Sequence, residues 1–387
     1  MAETMINRKA YSDNVPACWP GKHIGGTLGA PFAWKRQINA VRRVLPVLAL
    51  LAGVVQAAAA VSDNHVAGVA DTAAVRRVWV WSDAHIGLCS TASGDRDGAA
   101  WLQDAVDDIR DCAGPVVCAL SLGDIADDST RAQYEEYANI RRRAGFGPWF
   151  EIAGNHDFAG VKAGLWEACV TPQRRFILAD GNGVWICFGV EVSGAGGRIS
   201  EDTLRWLREA IARNQDRNEI VCSHQAVSHT VLGSQKDYRA LYCPSATDPA
   251  PERPPADADP ATPKRETTDA ALQRVERIVD ELRVDLWLCG HIHSNQRTAE
   301  SIARRGRTTF INVASITHAY GDHASGSFVL EFRDGARTVD ARYRDHGTGK
   351  FDEAFSTTVE FPQPWRFSGP PKFEAALPAP AAASADK

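Results

Sequence analysis

The sequence predicts a layered α/β domain, and three observations support that fold class. Apolar segments rich in Val, Trp, Ile and Leu recur from residue 77 to residue 343, with amphipathic helical patterns between several of them. Short motifs of Asp, Asn and His directly follow five of these segments. The first three motifs are 41 and 31 residues apart, which suits one β-α-β unit each. A chain of 387 residues, 44% of them apolar, can bury a substantial core.

The expected elements can be given in chain order. Strands are expected at residues 77–82, 115–122, 148–153, 176–178, 184–192, 219–223, 284–289, 308–313, 327–332 and 338–343. Helices are expected at residues 99–110, 129–143, 200–214 and 268–282. Ser129 or Thr130 is expected to cap the second helix, because either side chain can accept a hydrogen bond from the first turn. The run Asp180-Gly181-Asn182-Gly183 predicts a hairpin turn.

The N-terminal region has the pattern of an export signal. Basic residues precede an uncharged apolar run at 44–55, and small residues follow it: Lys35, Arg36, Arg42 and Arg43, then Ala57–Ala60. We therefore expect a non-native or disordered extension at 1–36, a signal peptide-like segment at 37–60 and a linker at 61–75. The expected location is periplasmic or secreted, with no stable membrane span after cleavage. The alternatives are a membrane anchor at 44–61 and a buried helix of the fold.

Five motifs supply the hard and borderline ligands that divalent or trivalent metals prefer. They are Asp83-Ala84-His85, Gly123-Asp124-Ile125-Ala126-Asp127, Gly154-Asn155-His156-Asp157, Ser223-His224 and Gly290-His291-Ile292-His293. Asp83 and His85 would point the same way on an extended segment, and the two oxygens of Asp124 could bridge two cations. A glycine before a ligand lets the chain turn off its strand without a Cβ clash. A two-metal site of this kind attacks phosphate esters.

This ordered set resembles the calcineurin-like metallophosphoesterases, whose pattern is D-x-H, G-D-x-x-D, G-N-H-[DE], a lone His and G-H-x-H. The resemblance covers roughly residues 77–345 and implies a β-sandwich of mixed sheets flanked by helices, in four layers α/β/β/α. It also implies two ions of Mn, Fe or Zn. The implied ligands are Asp83, His85, Asp124 and His293 for one ion, and Asp124, Asn155, His224 and His291 for the other. Asp124 would bridge them. His156 would face the substrate and protonate the leaving oxygen, with Asp127 orienting its ring.

The domain organisation follows from this resemblance and from composition. Residues 76–350 are expected to form the catalytic domain, with a flexible Pro-, Ala- and Asp-rich insertion at 244–267. The C-terminal segment 351–387 is expected to end in a disordered Pro/Ala-rich tail. Without residues 1–60, the chain has 36 Lys and Arg against 46 Asp and Glu. This acidic balance argues against a strong nucleic-acid surface.

The function expected from the sequence is that of an exported, metal-dependent phosphoesterase. It would hydrolyse a phosphomonoester or phosphodiester bond of a small substrate through a metal-bridging hydroxide. Two departures from the family pattern bear on the expected substrate and metal. Asp128 stands where protein phosphatases of the family have Arg, which argues against phosphoprotein substrates. The second motif lacks the Tyr of purple acid phosphatases, so the colour of a tyrosinate bound to iron is not expected. The alternatives are a non-catalytic metal-binding scaffold on the same fold and an exported nuclease. Neither the substrate nor the oligomeric state follows from the sequence.

Overall fold

Secondary structure in this protein follows the apolar pattern of the sequence. The structure is a computed structural model that describes residues 75–90, 96–112, 114–191, 197–231, 240–244, 269–293, 296, 300–317, 325–367, 369 and 371–374. The expected signal peptide-like segment, nearly all of the linker, the insertion beyond residue 244 and the end of the C-terminal tail lie outside these ranges.

Six α-helices lie in the described ranges. They are α1 (Gly98–Cys112), α2 (Arg131–Arg143), α3 (Phe158–Lys162), α4 (Leu165–Cys169), α5 (Glu201–Arg213) and α6 (Asp269–Glu281), with a 3-10 turn at Glu353–Phe355. Thr130 caps α2 through a capping box with Gln133, and Ser200 caps α5. None of the helices in the described ranges is long and apolar enough to cross a membrane.

Eighteen strands are described, most of them in two sheets. They are β1 (Val75–Trp81), β2 (Cys89–Ser90), β3 (Arg96–Asp97), β4 (Val116–Ser121), β5 (Trp149–Glu151), β6 (Arg175–Asp180), β7 (Gly183–Phe188), β8 (Gly197–Arg198), β9 (Asn218–Ser223), β10 (Leu241–Tyr242), β11 (Leu286–Cys289), β12 (Ile302–Arg305), β13 (Thr308–Asn312), β14 (Gly326–Arg333), β15 (Thr338–Asp345), β16 (Lys350–Phe351), β17 (Thr357–Glu360) and β18 (Lys372–Phe373).

The first sheet has the strand order β16-β15-β14-β1-β4-β5, with β17 also paired to β15. Strands β1, β4 and β5 are parallel, whereas β14 runs antiparallel to β1. Because parallel strands end at one edge, the segments after β1, β4 and β5 are neighbours.

The second sheet has the strand order β12-β13-β11-β9-β7-β6-β18. Strands β7, β9, β11 and β13 are parallel. The predicted hairpin is present as β6 and β7, which are joined by Gly181 and Asn182. The segments that follow β9 and β11 therefore also share one edge.

Side chains that alternate between the two faces of each strand form three large buried clusters, one between the sheets and one on each outer face. With the helices on both outer faces, the domain has four layers. In β1, Val78 and Val80 join the central cluster between the sheets, whereas Trp79 and Trp81 pack with helices α1 and α2 on the outer face. Apolar residues of α5 and α6 cover the outer face of the second sheet. The expected β-sandwich of mixed sheets flanked by helices is thus confirmed.

Strands beyond residue 350 also belong to the sandwich. Strand β17 pairs with β15, and β18 pairs with β6. Between them, Trp365 is fully buried and its ring packs edge-on against Phe332 at 4.6 Å between centroids. The sheets therefore include residues beyond 350, where the sequence places the end of the catalytic domain. These strands are short and mostly exposed, so they lack a strong apolar pattern.

Candidate metal centre

All the predicted ligands lie in segments that directly follow parallel strands. Asp83 and His85 follow β1, Asp124 follows β4, Asn155 follows β5, His224 follows β9, and His291 and His293 follow β11. Two contacts join the edges of the two sheets: the His291 N–H donates to Asp83 Oδ2 at 2.9 Å, and His224 Nδ1 lies 2.8 Å from the Leu122 carbonyl. The site thus lies where both sheets end.

The backbone at this edge is strained in a consistent way. Five predicted ligands adopt left-handed φ angles, namely Asp83 (56°), His85 (46°), Asp124 (52°), His291 (70°) and His293 (55°). Each such residue costs about 1–3 kcal/mol and persists only when its surroundings enforce it. The expectation that Asp83 and His85 lie on an extended segment is therefore wrong. Hydrogen bonds to neighbouring segments hold them instead, since Asp83 N donates to Gly123 O and His85 N to Asp124 O, both at 3.0 Å.

A first group of ligand atoms is formed by Asp83, His85, Asp124 and His293, all of them buried. His293 Nε2 lies 3.0 Å from Asp83 Oδ1 and 3.0 Å from His85 Nε2. His85 Nε2 lies 3.6 Å from Asp124 Oδ2. These four donor atoms lie within 4.8 Å of one another, which suits a single cation.

A second group shares Asp124 with the first. It consists of Asp124, His224 and His291. His224 Nε2 lies 3.1 Å from Asp124 Oδ2, and His291 Nδ1 lies 3.2 Å from His224 Nε2. Asn155 Oδ1 is 3.1 Å from the same His224 nitrogen. The structure therefore brings all seven predicted ligands together around one shared carboxylate.

The donor set fits a pair of cations. Among the described residues, no hydrogen bond of normal geometry reaches Asp83 Oδ1 or Asp124 Oδ2, although both oxygens are buried. Buried carboxylate oxygens without a donor are costly in an apolar interior. Imidazole nitrogens and carboxylate oxygens converging at 3.0–3.6 Å are borderline and hard ligands, and a cation between them would satisfy both kinds.

Two glycines allow this close approach. At Gly154 an added Cβ would lie 2.1 Å from Asp124 Oδ1 and 2.4 Å from Asp124 N, so the motif has no room for a side chain. At Gly123 the φ angle is +107°, and an added Cβ would lie 2.8 Å from His224 Nδ1. The first glycine is required for space, and the second for space and backbone conformation.

The pKa values of the histidines in the site differ strongly from the ordinary value of histidine. Burial by itself lowers the pKa of His85, but the hydrogen bond with Asp127 and the nearby carboxylate of Asp83 outweigh it and raise the pKa to about 10. Burial likewise opposes the charge on His224, yet the adjacent Asp124 raises its pKa to about 9. Burial and the neighbouring His224 lower the pKa of His291 to about 3. The carboxylates of Asp83 and Asp124 thus favour the charged form of the imidazoles that lie beside them, His85 and His224.

Asp127 contacts both a predicted ligand and the predicted acid. Its Oδ1 lies 2.9 Å from His85 Nδ1 and 3.3 Å from His156 Nδ1. The Asp127 backbone carbonyl lies still nearer to His156 Nδ1, at 2.8 Å. The His156 ring is therefore oriented by both the main chain and the side chain of Asp127. The His156 side chain is 32% exposed, in contrast to the buried ligands.

Two residues that were not predicted to act at the site support its geometry. The Asp157 carboxylate accepts backbone N–H groups of Ile125, Ala126 and Gly154 at 3.0–3.2 Å, which fixes the second motif against the third. Gln225 is buried and its Nε2 donates to Asn155 Oδ1 at 3.3 Å. Asp157 belongs to the third motif and Gln225 directly follows the fourth. Their proximity to these motifs is the sequence feature that could have identified them.

His229, the described histidine that follows the fourth motif, does not join these groups. Its side chain is 56% exposed, and its Nδ1 lies 3.0 Å from Glu276 Oε1. His318 and His323 lie outside the described residues.

Structural comparison finds similar solved structures at low sequence identity. Purple acid phosphatase PPD1 from yellow lupin (Lupinus luteus) has 13% identity and a TM-score of 0.47, over 75% of this chain and 54% of that chain. A single mutant of Vps29 from Entamoeba histolytica has 15% identity and a TM-score of 0.33, over 74% and 99%. The sulfate thiohydrolase SoxB from Termus thermophilus has 11% identity and a TM-score of 0.38, over 72% and 59%. The chain thus spans about half the length of the lupin phosphatase.

Sequence comparison gives the family. No curated protein matches the chain significantly. A family model described as calcineurin-like phosphoesterase matches residues 76–295, which is more than half of the 387 residues. The matched region contains the five motifs and both ligand groups. The chain belongs to the calcineurin-like phosphoesterase family.

Proposed function

We propose that this protein is an exported, metal-dependent phosphoesterase that hydrolyses phosphomonoester or phosphodiester bonds at a binuclear centre. The observation that carries the proposal is that two ligand groups, the first fully buried and the second buried except for His291, share Asp124. A single carboxylate oxygen lies 3.6 Å from His85 Nε2 in one group and 3.1 Å from His224 Nε2 in the other. That arrangement suits two neighbouring cations rather than one.

The metals would supply activation of a water molecule and neutralisation of the phosphoryl oxygens. The protein supplies the ligands, the shape of the site and a proton. His156 is the proposed proton donor to the leaving oxygen, since it is partly exposed next to His85, with ring centroids 4.5 Å apart. The hydrogen bond from Nδ1 to the Asp127 carbonyl leaves Nε2 as the nitrogen available to a substrate.

The pKa of His156 supports this role. Burial opposes its charge, but Asp127 and Asp124 raise its pKa to about 8. A group with such a pKa is mostly protonated at neutral pH and can give up its proton during the reaction. Asp127 is proposed as the residue that orients the ring and stabilises its charged form.

The alternatives differ in what they require of these residues. A non-catalytic scaffold needs the metal ligands but has no use for an oriented, partly exposed His156, so the contacts of Asp127 favour catalysis. An exported nuclease would need a surface that attracts polyanions, and the acidic balance of the chain beyond residue 60 disfavours that. We therefore propose a small phosphoester as substrate. DNA binding at low salt would revive the nuclease hypothesis.

Export is proposed from the sequence pattern at residues 37–60 alone. Expression of the full-length chain in a bacterial host, followed by N-terminal sequencing of the protein from each cell fraction, tests it. A mature N-terminus close to Ala60 in the periplasmic or secreted fraction would support cleavage. An uncut chain in the membrane fraction would support the anchor at 44–61 instead.

The activity is tested with the manganese-loaded protein on two substrates, bis-p-nitrophenyl phosphate for diesters and p-nitrophenyl phosphate for monoesters. Asp124→Asn removes the shared charge, and Asp111→Asn on the exposed face of α1 makes the same change outside the site. We expect turnover in the wild type and in Asp111→Asn, but not in Asp124→Asn. Wild-type protein that holds metal and hydrolyses neither compound would favour the scaffold.

A further inference from the structure

We propose that the protein has a second anion site, remote from the metal centre, that binds a ligand carrying phosphate groups. The site is a cavity of about 550 Å³ whose lining includes Arg304, Arg307 and Arg337. No step of the proposed hydrolysis uses these residues, so the inference is independent of the proposed function.

The cavity lies at the opposite end of the sandwich from the metal centre. Asp285, which lines it, comes directly before β11, whereas His291 follows that strand. Six residues of extended chain span about 20 Å, since a strand rises about 3.3 Å per residue. A ligand in this cavity would therefore not touch the metal ligands.

Both sheets contribute to the cavity from fixed backbone. Arg304 and Arg307 come from the hairpin of β12 and β13, whose turn begins at Gly306 with a φ of +58°. Arg337 immediately precedes β15 in the other sheet, and its carbonyl accepts the Phe361 N–H at 2.7 Å. The backbone at Arg304 is thus held by strand pairing and that at Arg337 by the Phe361 hydrogen bond, whereas Arg307 lies in the two-residue turn between the paired strands.

No ion pair joins the three arginines to another residue of the described ranges. Within the described residues, neither Arg304 nor Arg307 nor Arg337 has a carboxylate oxygen within 4.0 Å. The adjacent Arg305 behaves differently, because it points to the other face of β12 and pairs with Asp280 at 2.7 Å. Within this hairpin, the arginine that forms an ion pair thus lies outside the cavity lining, whereas Arg304 and Arg307 line it.

The acidic residues of the lining leave this charge largely intact. Asp285 is buried, accepts the Glu219 N–H at 2.9 Å and pairs with Arg283 at 3.3 Å, so Arg307 acts on it only from a longer distance. Glu360, at the end of β17, is the remaining carboxylate of the lining and is exposed. Its removal should make the cavity more attractive to an anion.

The chemistry of the lining indicates the class of ligand. A guanidinium group offers a planar fork of N–H donors that matches two oxygens of one phosphate, which favours arginine at phosphate sites. Three such groups around one cavity suit a multiply charged anion better than a single carboxylate. A volume of about 550 Å³ exceeds that needed for one phosphate ion and falls in the range of small-molecule sites.

Pyrophosphate is the probe, titrated calorimetrically into the full-length protein after the metals have been dialysed away, at constant ionic strength. The cavity variant is Arg307→Gln with Arg337→Gln. Its matched control is Arg205→Gln with Arg208→Gln, which removes the same charge from exposed positions of α5 that already form ion pairs. A third variant, Glu360→Gln, removes the acidic group of the lining.

We expect one pyrophosphate to bind the wild type and the control alike, with at least roughly tenfold weaker binding to the cavity variant and tighter binding to Glu360→Gln. Absence of saturable binding to the wild type would overturn the proposal. So would equal losses in the cavity variant and the control, because binding would then reflect general surface charge. Melting curves of each variant report folding, and Glu360→Gln keeps the test decisive if the double variant unfolds.

Discussion

Replacement of Gly154 by alanine isolates the role of close packing at the metal centre. The added Cβ would lie 2.1 Å from Asp124 Oδ1 and 2.4 Å from Asp124 N. Non-bonded carbon and oxygen atoms need well over about 3 Å, so the shared carboxylate has to retreat by about 1 Å. The same oxygen accepts the His156 N–H at 2.8 Å, and the shift would therefore also move the proposed acid.

The expected loss follows from that displacement. A misplacement of about 1 Å at a reacting centre can cost about 100-fold in rate, which corresponds to about 2.7 kcal/mol of transition-state stabilisation. We expect Gly154→Ala to lower kcat/KM on the better p-nitrophenyl substrate by about this factor. Its affinity for manganese, measured by calorimetry, should fall as well, because Asp124 belongs to both ligand groups.

Gly164→Ala is the matched control. Gly164 has a φ of +73°, so alanine is strained there by about 1–2 kcal/mol, but no atom of the described residues lies within 4 Å of its added Cβ. It should lower the free energy of unfolding and leave turnover and manganese affinity unchanged. Wild-type manganese affinity and kcat/KM in Gly154→Ala would refute the reasoning, because Asp124 could then shift without consequence.

Three further predictions concern the acid, a buried carboxyl and the metals. His156→Ala should keep both metals, by elemental analysis, and lose most of its turnover; full activity would remove His156 from the mechanism. Burial raises the pKa of Glu219 to about 9. Between about pH 4.5 and pH 9 the folded protein therefore holds a proton that the unfolded chain releases. The free energy of unfolding should fall over this range as the pH rises, by up to about 1.4 kcal/mol per pH unit. Glu219→Gln should flatten this dependence in urea titrations at about pH 5 and pH 8, whereas parallel profiles would contradict the burial argument. Manganese at about 100 times its dissociation constant should stabilise the wild type by about 2.7 kcal/mol, and this gain should shrink in Asp124→Asn; equal gains would mean that the metal binds elsewhere.

The order and chemistry of the five motifs were sufficient to predict the fold class and to nominate the ligands. Each motif follows an apolar strand, and the strands with their caps, such as Thr130 and Ser200, depend on patterns within a few residues. Local patterns of this kind can be recognised in the amino-acid sequence. The seven nominated side chains are gathered in the structure because their strands are parallel and end together.

Long-range contacts account for what the sequence did not predict. The carboxylate of Asp157 supports two motifs through backbone N–H groups 31 and 32 positions away, which no periodicity encodes. The short strand β17 is half-exposed and is a strand only because β15 offers an open edge. The cavity with its three arginines combines residues from both sheets, so it exists only once the sheets face each other.

The amino-acid sequence alone determined which chemical groups this protein brings to its site, because side-chain identity and strand spacing are local properties of the chain. How those groups are held depends on contacts between distant segments. Left-handed φ angles at Asp83, His85 and Asp124 are unfavourable locally and are maintained by hydrogen bonds from neighbouring segments. The sharing of Asp124 by two ligand groups likewise depends on the meeting of two sheets, and a distance between atoms of different sheets cannot be deduced from either strand alone.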